Sequence, residues 1–286
     1  MSNGGGRPCS AVHKKVDGVM SDHAAPEPAN FVTPNAARIF DYYLGGKDNH
    51  AADREAARRV LGAIPDVPLA ALENREFLKR AIPFLVAERG ISQFVDIGSG
   101  LPTQGNVHQL AQQRHPDARV VYIDNDAVAV EHSRSLLHGL PAVTALCGDL
   151  RDPEPVLSHP GLGAFIDFSR PVALLMTLVL DLIPPGDSPY EAVATFRDAL
   201  SPGSFLVLSH ASDDGREPGA FTGISGPQVI ASAQLIMRSH AEIARFFDGL
   251  ELVDPGVVFL PQWRPIREYS IRGGTRWGYC GIGEKS

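Results

Sequence analysis

Apolar positions fall into two regimes along the chain. From Asn35 to about residue 90 they recur at helical spacing. Ala36, Ile39, Phe40, Tyr43 and Leu44 form one stripe closed by Gly45-Gly46, and a second helical stretch runs from about Ala51 to Leu61. A third begins near Leu69 and passes Leu72, Phe77, Leu78 and Ile82, with Pro83 expected to kink it. Beyond Gln93 the pattern changes to short apolar runs separated by helix-length polar stretches: Gln93–Ile97, Arg119–Ile123, Ala142–Cys147, Val172–Leu178 and Phe205–Ser209. Such alternation predicts an α/β fold with a parallel sheet covered on both faces. The intervening helices are expected at Thr103–Arg114, Asp126–His138, Pro189–Leu200, Pro227–Arg238 and Ser239–Gly249, with Asp126 as an N-cap. Leu252–Val253, Val257–Leu260 and Trp277–Gly281 follow without a helix between them, which predicts an antiparallel hairpin at the sheet edge.

Residues 1–33 mix glycine, proline and scattered charge with no apolar period and read as a disordered leader. The division that follows is a helical segment over 34–90 and a sheet-bearing core over 91–286. Lys14 and Lys15 precede no continuous apolar segment, which reads against a secretory signal, and the longest apolar run, Val172 to Leu180, is about half of what a membrane span needs. With 33 acidic against 26 basic residues, the net charge of -7 argues against nucleic acid or anionic lipid as a partner and favours a small molecule. The 3 cysteines lie far apart with no CxxC pair, so a reducing cytoplasm is expected and no metal site is.

The chemistry concentrates at strand ends. Asp96-Ile97-Gly98-Ser99-Gly100 ends the first strand in a glycine-rich turn that opens a helix, where backbone can approach a ligand closely. A dinucleotide fingerprint would carry a third glycine where this chain has Thr103, which argues against a nicotinamide-dependent oxidoreductase, and Asp96 favours a cationic amine over a pyrophosphate. Asp124 ends the second strand, where a carboxylate can accept both hydroxyls of a ribose; its other role is to help cap the next helix. Asp149 ends the third, placed to accept an adenine amino group with Leu150 against the ring. Three successive acidic strand ends converge on an adenosine that carries an amino-acid tail.

These residues resemble the class I S-adenosylmethionine-dependent methyltransferases, and more narrowly a bacterial S-adenosyl methyltransferase family of unassigned substrate. The resemblance spans about Asn35 to Gly283. It rests on residues 37–49, 96–103, 122–126, 148–153 and 241–250. Where family members often carry His-Phe-Val-Pro, this chain has Asp181-Leu182-Ile183-Pro184. The resemblance implies a Rossmann-like, seven-stranded, mostly parallel sheet and S-adenosyl-L-methionine as cofactor. It also implies a cofactor shell of Tyr42, Gly45, Asp96, Gly98, Ser99, Gly100, Asp124, Asn125, Asp149 and Leu150, with the Tyr42-to-Gly46 segment as a helical lid. A tyrosine face from Tyr42 or Tyr43 can stabilise a sulfonium, or both can simply dock the helix.

Methyl transfer from a sulfonium needs collinear positioning more than a nucleophilic side chain. If the acceptor must lose a proton, Asp181 after the fourth strand and His210 after the fifth are the candidate bases, since both are expected to emerge at the ligand edge. The alternatives are that Asp181 caps a turn and that His210 is a strand-end core residue. Phe221, Ile224, Ile230, Leu235 and Met237 are candidates for an acceptor pocket or for ordinary core, and Arg264, Arg267, Arg272 and Arg276 for a solvated face or an acidic-substrate contact. There is no phosphate loop, H-E-x-x-H or G-x-S-x-G. A non-catalytic cofactor sensor or scaffold is the alternative to a methyltransferase acting on a small molecule.

Overall fold

A computed structural model describes residues 33–102, 105–214, 235–265 and 274–286. The leader reading therefore lies almost wholly outside the described residues, as do Thr103, Phe221, Ile224, Ile230, Arg267 and Arg272.

Three helices come first: α1 (Ala36–Tyr43), α2 (Ala51–Ala63) and α3 (Val67–Arg89). Asn35 caps α1, its side chain accepting from the Arg38 N–H, and Gly90, in the left-handed conformation, terminates α3. Pro83 does not break α3, which runs 23 residues through it. Pro83 is only partly buried and Lys79, whose carbonyl loses its donor, is exposed, so water can satisfy that carbonyl.

The sheet strands are β1 (Gln93–Ile97), β2 (Arg119–Asp124), β3 (Val143–Cys147), β4 (Ala173–Thr177), β5 (Phe205–Ala211), β6 (Glu251–Leu252), β7 (Val258–Phe259) and β8 (Gly278–Glu284). Their order is β3-β2-β1-β4-β5-β8-β6, with β1 to β5 parallel and β8 antiparallel to β5. The expected antiparallel edge is present, but its pairing differs from a hairpin between the two short strands. β6 and β7 each pair with β8, at Glu284–Gly283 and Cys280–Tyr279, and so share the seventh position of the sheet. Each is 2 residues long, too short to pair as an independent ribbon.

The remaining helices are α4 (Val107–Gln112), α5 (Ala127–Leu136), α6 (Pro153–Leu157), α7 (Pro160–Phe165), α8 (Pro189–Asp198) and α9 (His240–Ala244). α4 starts later than its apolar spacing suggested because Asn106 and Gln109 form a capping box there. α9 gives way to a 3-10 turn at Arg245–Phe247, shortening the helix expected over Ser239–Gly249. The short helices α6 and α7 were not legible in the apolar period, and the described part of the expected Pro227–Arg238 helix, residues 235–238, is not helical.

Alternation along the strands sorts the core into two layers. Phe94, Val120, Tyr122, Leu175 and Val207 face α3, α4 and α5, whereas Val95, Ile97, Val121, Leu174 and Leu206 face α6 to α9. α1 and α2 form a third, small cluster of Ile39, Tyr43, Ala56, Ala57 and Val60 that meets α3 along its first turns, through Val67, Ala71 and Arg75. Within the 34–90 helical segment, α3 is thus part of the sheet's core and α1–α2 is an attachment to it. No described helix is long and apolar enough to cross a membrane.

Candidate functional site

Chain direction across the sheet reverses between β1 and β4, the place where open α/β sheets bind ligands. The glycine turn after β1 lies there. Gly98 has φ +69°, and a Cβ on it would stand 2.1 Å from Val179 after β4, so only glycine fits. The Gly98 and Ser99 N–H groups donate to the Ile123 carbonyl at 2.8 and 3.2 Å, which ties the turn to β2. Gly100 donates to Asp124 Oδ2 at 2.8 Å, and the Asp126 N–H donates to Asp124 Oδ1 at 3.0 Å. Asp124 therefore joins the glycine turn to the start of α5, and burial pushes its carboxyl pKa up. Capping of α5 itself falls to Asp126, which accepts from Val128 N at 2.8 Å and from Ala129 N at 3.4 Å.

Asp96 shares the β1 face of Phe94 and is 7% exposed. Burial pushes its pKa up to about 7, against the pull of Arg75 and with a further push from Asp124. Its carboxylate accepts no hydrogen bond from a described residue.

Asp149 is differently placed. Its oxygens accept from Arg151 N at 3.0 Å, Nε at 2.9 Å and Nη2 at 2.5 Å, and from Asn125 Nδ2 at 3.4 Å. Burial raises its pKa, but these Arg151 contacts outweigh that and hold it below the usual carboxylate value. A carboxylate offers about four lone-pair directions, all engaged here, so accepting an adenine amino group requires Arg151 or Asn125 to let go. Leu150 is 3% exposed and belongs to the core layer facing α6 to α9.

The N-terminal helices reach this site. The Ala37 Cβ is 3.2 Å from where a Gly100 Cβ would be, and Asn35 Nδ2 donates to Asp126 Oδ2, so the first turn of α1 lies on the glycine turn. The residues after α1 fold around Asp41, whose Oδ2 accepts from the Asp48 N–H at 2.9 Å and from Asn49 Nδ2 at 2.8 Å. Gly46 packs directly on that carboxylate, with a Cβ position 2.0 Å from Asp41 Oδ1; a Cβ on Gly45, at φ +75°, would meet no atom of the described residues within 4 Å. Of the glycine pair, Gly45 makes the turn and Gly46 the close approach. Tyr43 is buried in the α1–α2 cluster with its hydroxyl unpartnered among the described residues, and burial raises its pKa; Tyr42 packs on the same cluster at partial exposure.

Asp181 and His210 do come together, at 3.9 Å, but inside the protein, not on the open ligand edge. Asp181 is 3% and His210 0% exposed. His210 Nε2 lies 2.6 Å from Arg238 Nη1 and Nδ1 lies 2.7 Å from the Ala211 carbonyl. These partners assign a neutral ring with the proton on Nδ1 and the Nε2 lone pair taken. Burial lowers the His210 pKa against the pull of Asp181, and burial raises that of Asp181. Arg238 also donates to the Leu180 and Ile183 carbonyls, each at 2.8 Å, clamping the turn after β4 to β5. The departure from the expected exposure has a simple cause: the strand-end positions are covered by residues 236–238, since Ile236 N donates to the Asp181 carbonyl at 2.7 Å. Leu235 and Met237 in this cover are partly buried.

Sequence reasoning missed Arg75. It projects from α3 into the electrostatic field of Asp96, Tyr122 and Asp41, lies over the Phe40 ring at 5.6 Å, and has a buried Nε with no acceptor among the described residues. The only signal was helical phase, since Leu72, Arg75 and Lys79 share one side of α3 and nothing distinguished Arg75 from a solvated cation. A guanidinium whose buried Nε has no described acceptor, a buried carboxylate with no described donor and a turn that admits only glycine are what a site for a zwitterionic nucleoside requires, and the residues present fit that group. Among the described residues no group of His, Cys, Asp and Glu could hold a metal ion.

Comparison with known proteins agrees with this chemistry. The chain is similar to a methyltransferase candidate from Thermobifida fusca YX, with 40% identity over 92% of this chain and 100% of that one and a TM-score of 0.83. It is also similar to a DUF574 family protein from Streptomyces avermitilis MA-4680, with 34% identity over 89% and 98% of the two chains and a TM-score of 0.83. The plantazolicin methyltransferase BamL, solved in complex with a triazolic desmethylPZN analog and SAH, shares the fold at 14% identity over 87% and 96% of the chains, with a TM-score of 0.52. No curated protein matches the chain. The model of the S-adenosyl methyltransferase family matches residues 22–286, and the chain belongs to that family: it is a Rossmann-like, S-adenosylmethionine-dependent methyltransferase.

Proposed function

We propose that the protein transfers the methyl group to a small-molecule acceptor in the cytoplasm, with Asp96, Gly98, Ser99 and Gly100 at the amino-acid end of the cofactor and Asp124 at its ribose. Asn125 and Asp149 lie on the adenine side, and the α1 segment with Tyr42 and Gly45 covers the whole. The observation that carries the reading is Asp96: a carboxylate buried beside a glycine turn, with no described hydrogen-bond donor, awaits a cation. When bound, the cofactor supplies an electrophilic methyl on a sulfonium. The chain's own residues hold it, and α1 excludes water from it. Asp181 and His210 belong in this reading to the buried cluster that Arg238 clamps after β4: the His210 Nε2 lone pair is taken by Arg238, and Asp181 Oδ1, without a described partner, is sealed from solvent; catalysis rests on alignment. Net acidity of the chain supports a small acceptor over nucleic acid.

Methyl-labelled cofactor incubated with the protein and separated metabolite, protein and nucleic-acid fractions tests the proposal. Label is expected in the metabolite fraction, and label confined to a macromolecular fraction would overturn the acceptor class. Asp124→Ala is expected to weaken S-adenosylhomocysteine binding at least about tenfold in calorimetry, since charge-assisted bonds to two hydroxyls are lost.

A further inference from the structure

Strand alternation puts Asp96 on the sheet face covered by α3, beside Tyr122 in register on β2. α3 carries Arg75 to the same place. The guanidinium is drawn by Asp96 and Asp41 yet makes no ion pair or hydrogen bond with any described residue, and its Nε is buried without an acceptor. Phe40 of α1 supports its planar face at 5.6 Å. Arg75 is partly exposed, but burying a guanidinium N–H without an acceptor is costly, so such an arrangement is kept where an incoming anion completes it. Guanidinium's fork of donors matches a carboxylate, whereas the acceptor-only Asp96 matches an ammonium. A group that presents both from one carbon is a free α-amino acid.

We propose that Arg75 and Asp96 together read the α-amino-acid end of the cofactor, Arg75 taking its carboxylate and Asp96 its ammonium. The site then selects ligands with a free carboxylate over decarboxylated and truncated nucleoside thioethers. Arg75 is on this account a specificity residue supplied by a helix outside the glycine turn and the acidic strand ends. The inference rests on the cofactor reading above and deepens it.

Calorimetry with three thioethers separates the roles: S-adenosylhomocysteine carries both charges, S-adenosyl-3-thiopropylamine only the ammonium, and 5′-methylthioadenosine neither. The unaltered protein is expected to prefer S-adenosylhomocysteine over the thiopropylamine by at least about tenfold, the worth of one charge-assisted contact. Arg75→Met is expected to abolish that preference while leaving methylthioadenosine within about twofold. Arg75→Lys keeps the charge without the fork and is expected to recover part of it. Asp96→Asn is expected to weaken both amine-bearing ligands and spare methylthioadenosine. Unchanged S-adenosylhomocysteine binding by a folded Arg75→Met overturns the inference alone. So does an equal loss for all three ligands, which marks Arg75 as a structural partner of Asp41 and Phe40. Failure of the unaltered protein to bind any of the three overturns the cofactor reading and this inference with it.

Discussion

α3 and the α1–α2 pair are neighbours in sequence, yet they are held by different physics. α3 buries Phe77, Leu78, Ala81, Ile82 and Leu85 at 0–1% exposure in the layer it shares with β1, β2 and β4. It is also stapled to the far end of the chain. Arg80 donates to the Trp263 and Leu260 carbonyls at 2.8 and 2.7 Å, Glu73 accepts from the Thr275 N–H at 2.6 Å, and Trp263 meets the Phe77 ring edge-on at 5.4 Å. α1–α2 has only a small apolar cluster and depends on a polar hub, Asp53, 0% exposed. That carboxylate accepts from Arg38 Nε at 2.7 Å, from the Asn35 N–H at 2.9 Å and from the His50 N–H at 2.8 Å, joining the starts of both helices. The contrast teaches that a helix can be buried against the site without belonging to the cooperative core. An element held by a few polar contacts can open while the sheet stays intact.

The largest effect is expected from cutting the core side of this contrast. Phe77→Ala leaves a cavity beneath Trp263 and is expected to cost about 3–5 kcal/mol, lowering the chemical-denaturation midpoint of the whole domain. A loss confined to α1–α2 signals would show that α3 is not part of the core unit.

Asp53→Ala is expected to release α1 and α2 by about 3 kcal/mol, since it strands Arg38 without its buried partner. Amide exchange read residue by residue should rise across Ala36–Ala63 and stay slow in β1 and β4. Uniform acceleration through the sheet would merge the two regions into one unit.

Acid should reproduce that release in milder form. Burial pushes the Asp53 pKa up, but the Arg38 bond and the two backbone donors prevail and hold it below its ordinary 3.8. A depressed folded pKa means the stabilisation is fully present above the unfolded value and is lost as pH falls below 3.8 through the folded one. Magnetic-resonance signals of α1–α2 are therefore expected to broaden or shift below about pH 4 before those of α3 do; simultaneous loss would count against Asp53 as the hub.

Ligand should act in the opposite direction and with the smallest effect. S-adenosylhomocysteine is expected to slow amide exchange over Arg38–Asn49 several-fold while leaving Phe77–Leu85 unchanged. Equal rates with and without ligand would make α1 a fixed wall of the site instead of a lid.

Legibility from sequence divides along the same physical line. β1 has the bounds its apolar run predicts, and the other parallel strands differ by a residue or two, because a strand buried on both faces must be a continuous apolar run wherever it sits. The N-cap at Asp126 was also readable, since it is a consequence of local backbone geometry, whereas the strict need for glycine at 98 comes in part from Val179, which arrives from beyond β4. The chain by itself thus determined the layered sheet, the order of its parallel strands along the chain, and the row of acidic strand ends. Tertiary structure decided which of those ends stay open. Asp96 has no hydrogen bond among the described residues, Asp149 is taken up by Arg151, and Asp181 and His210 are covered by residues 236–238. It also decided that Arg75, one cation among several on an amphipathic helix, is the one carried to Asp96. Periodicity records how apolar each position is, whereas exposure and charge pairing depend on which distant segment arrives to cover it, and that information is held in the packing of the whole chain.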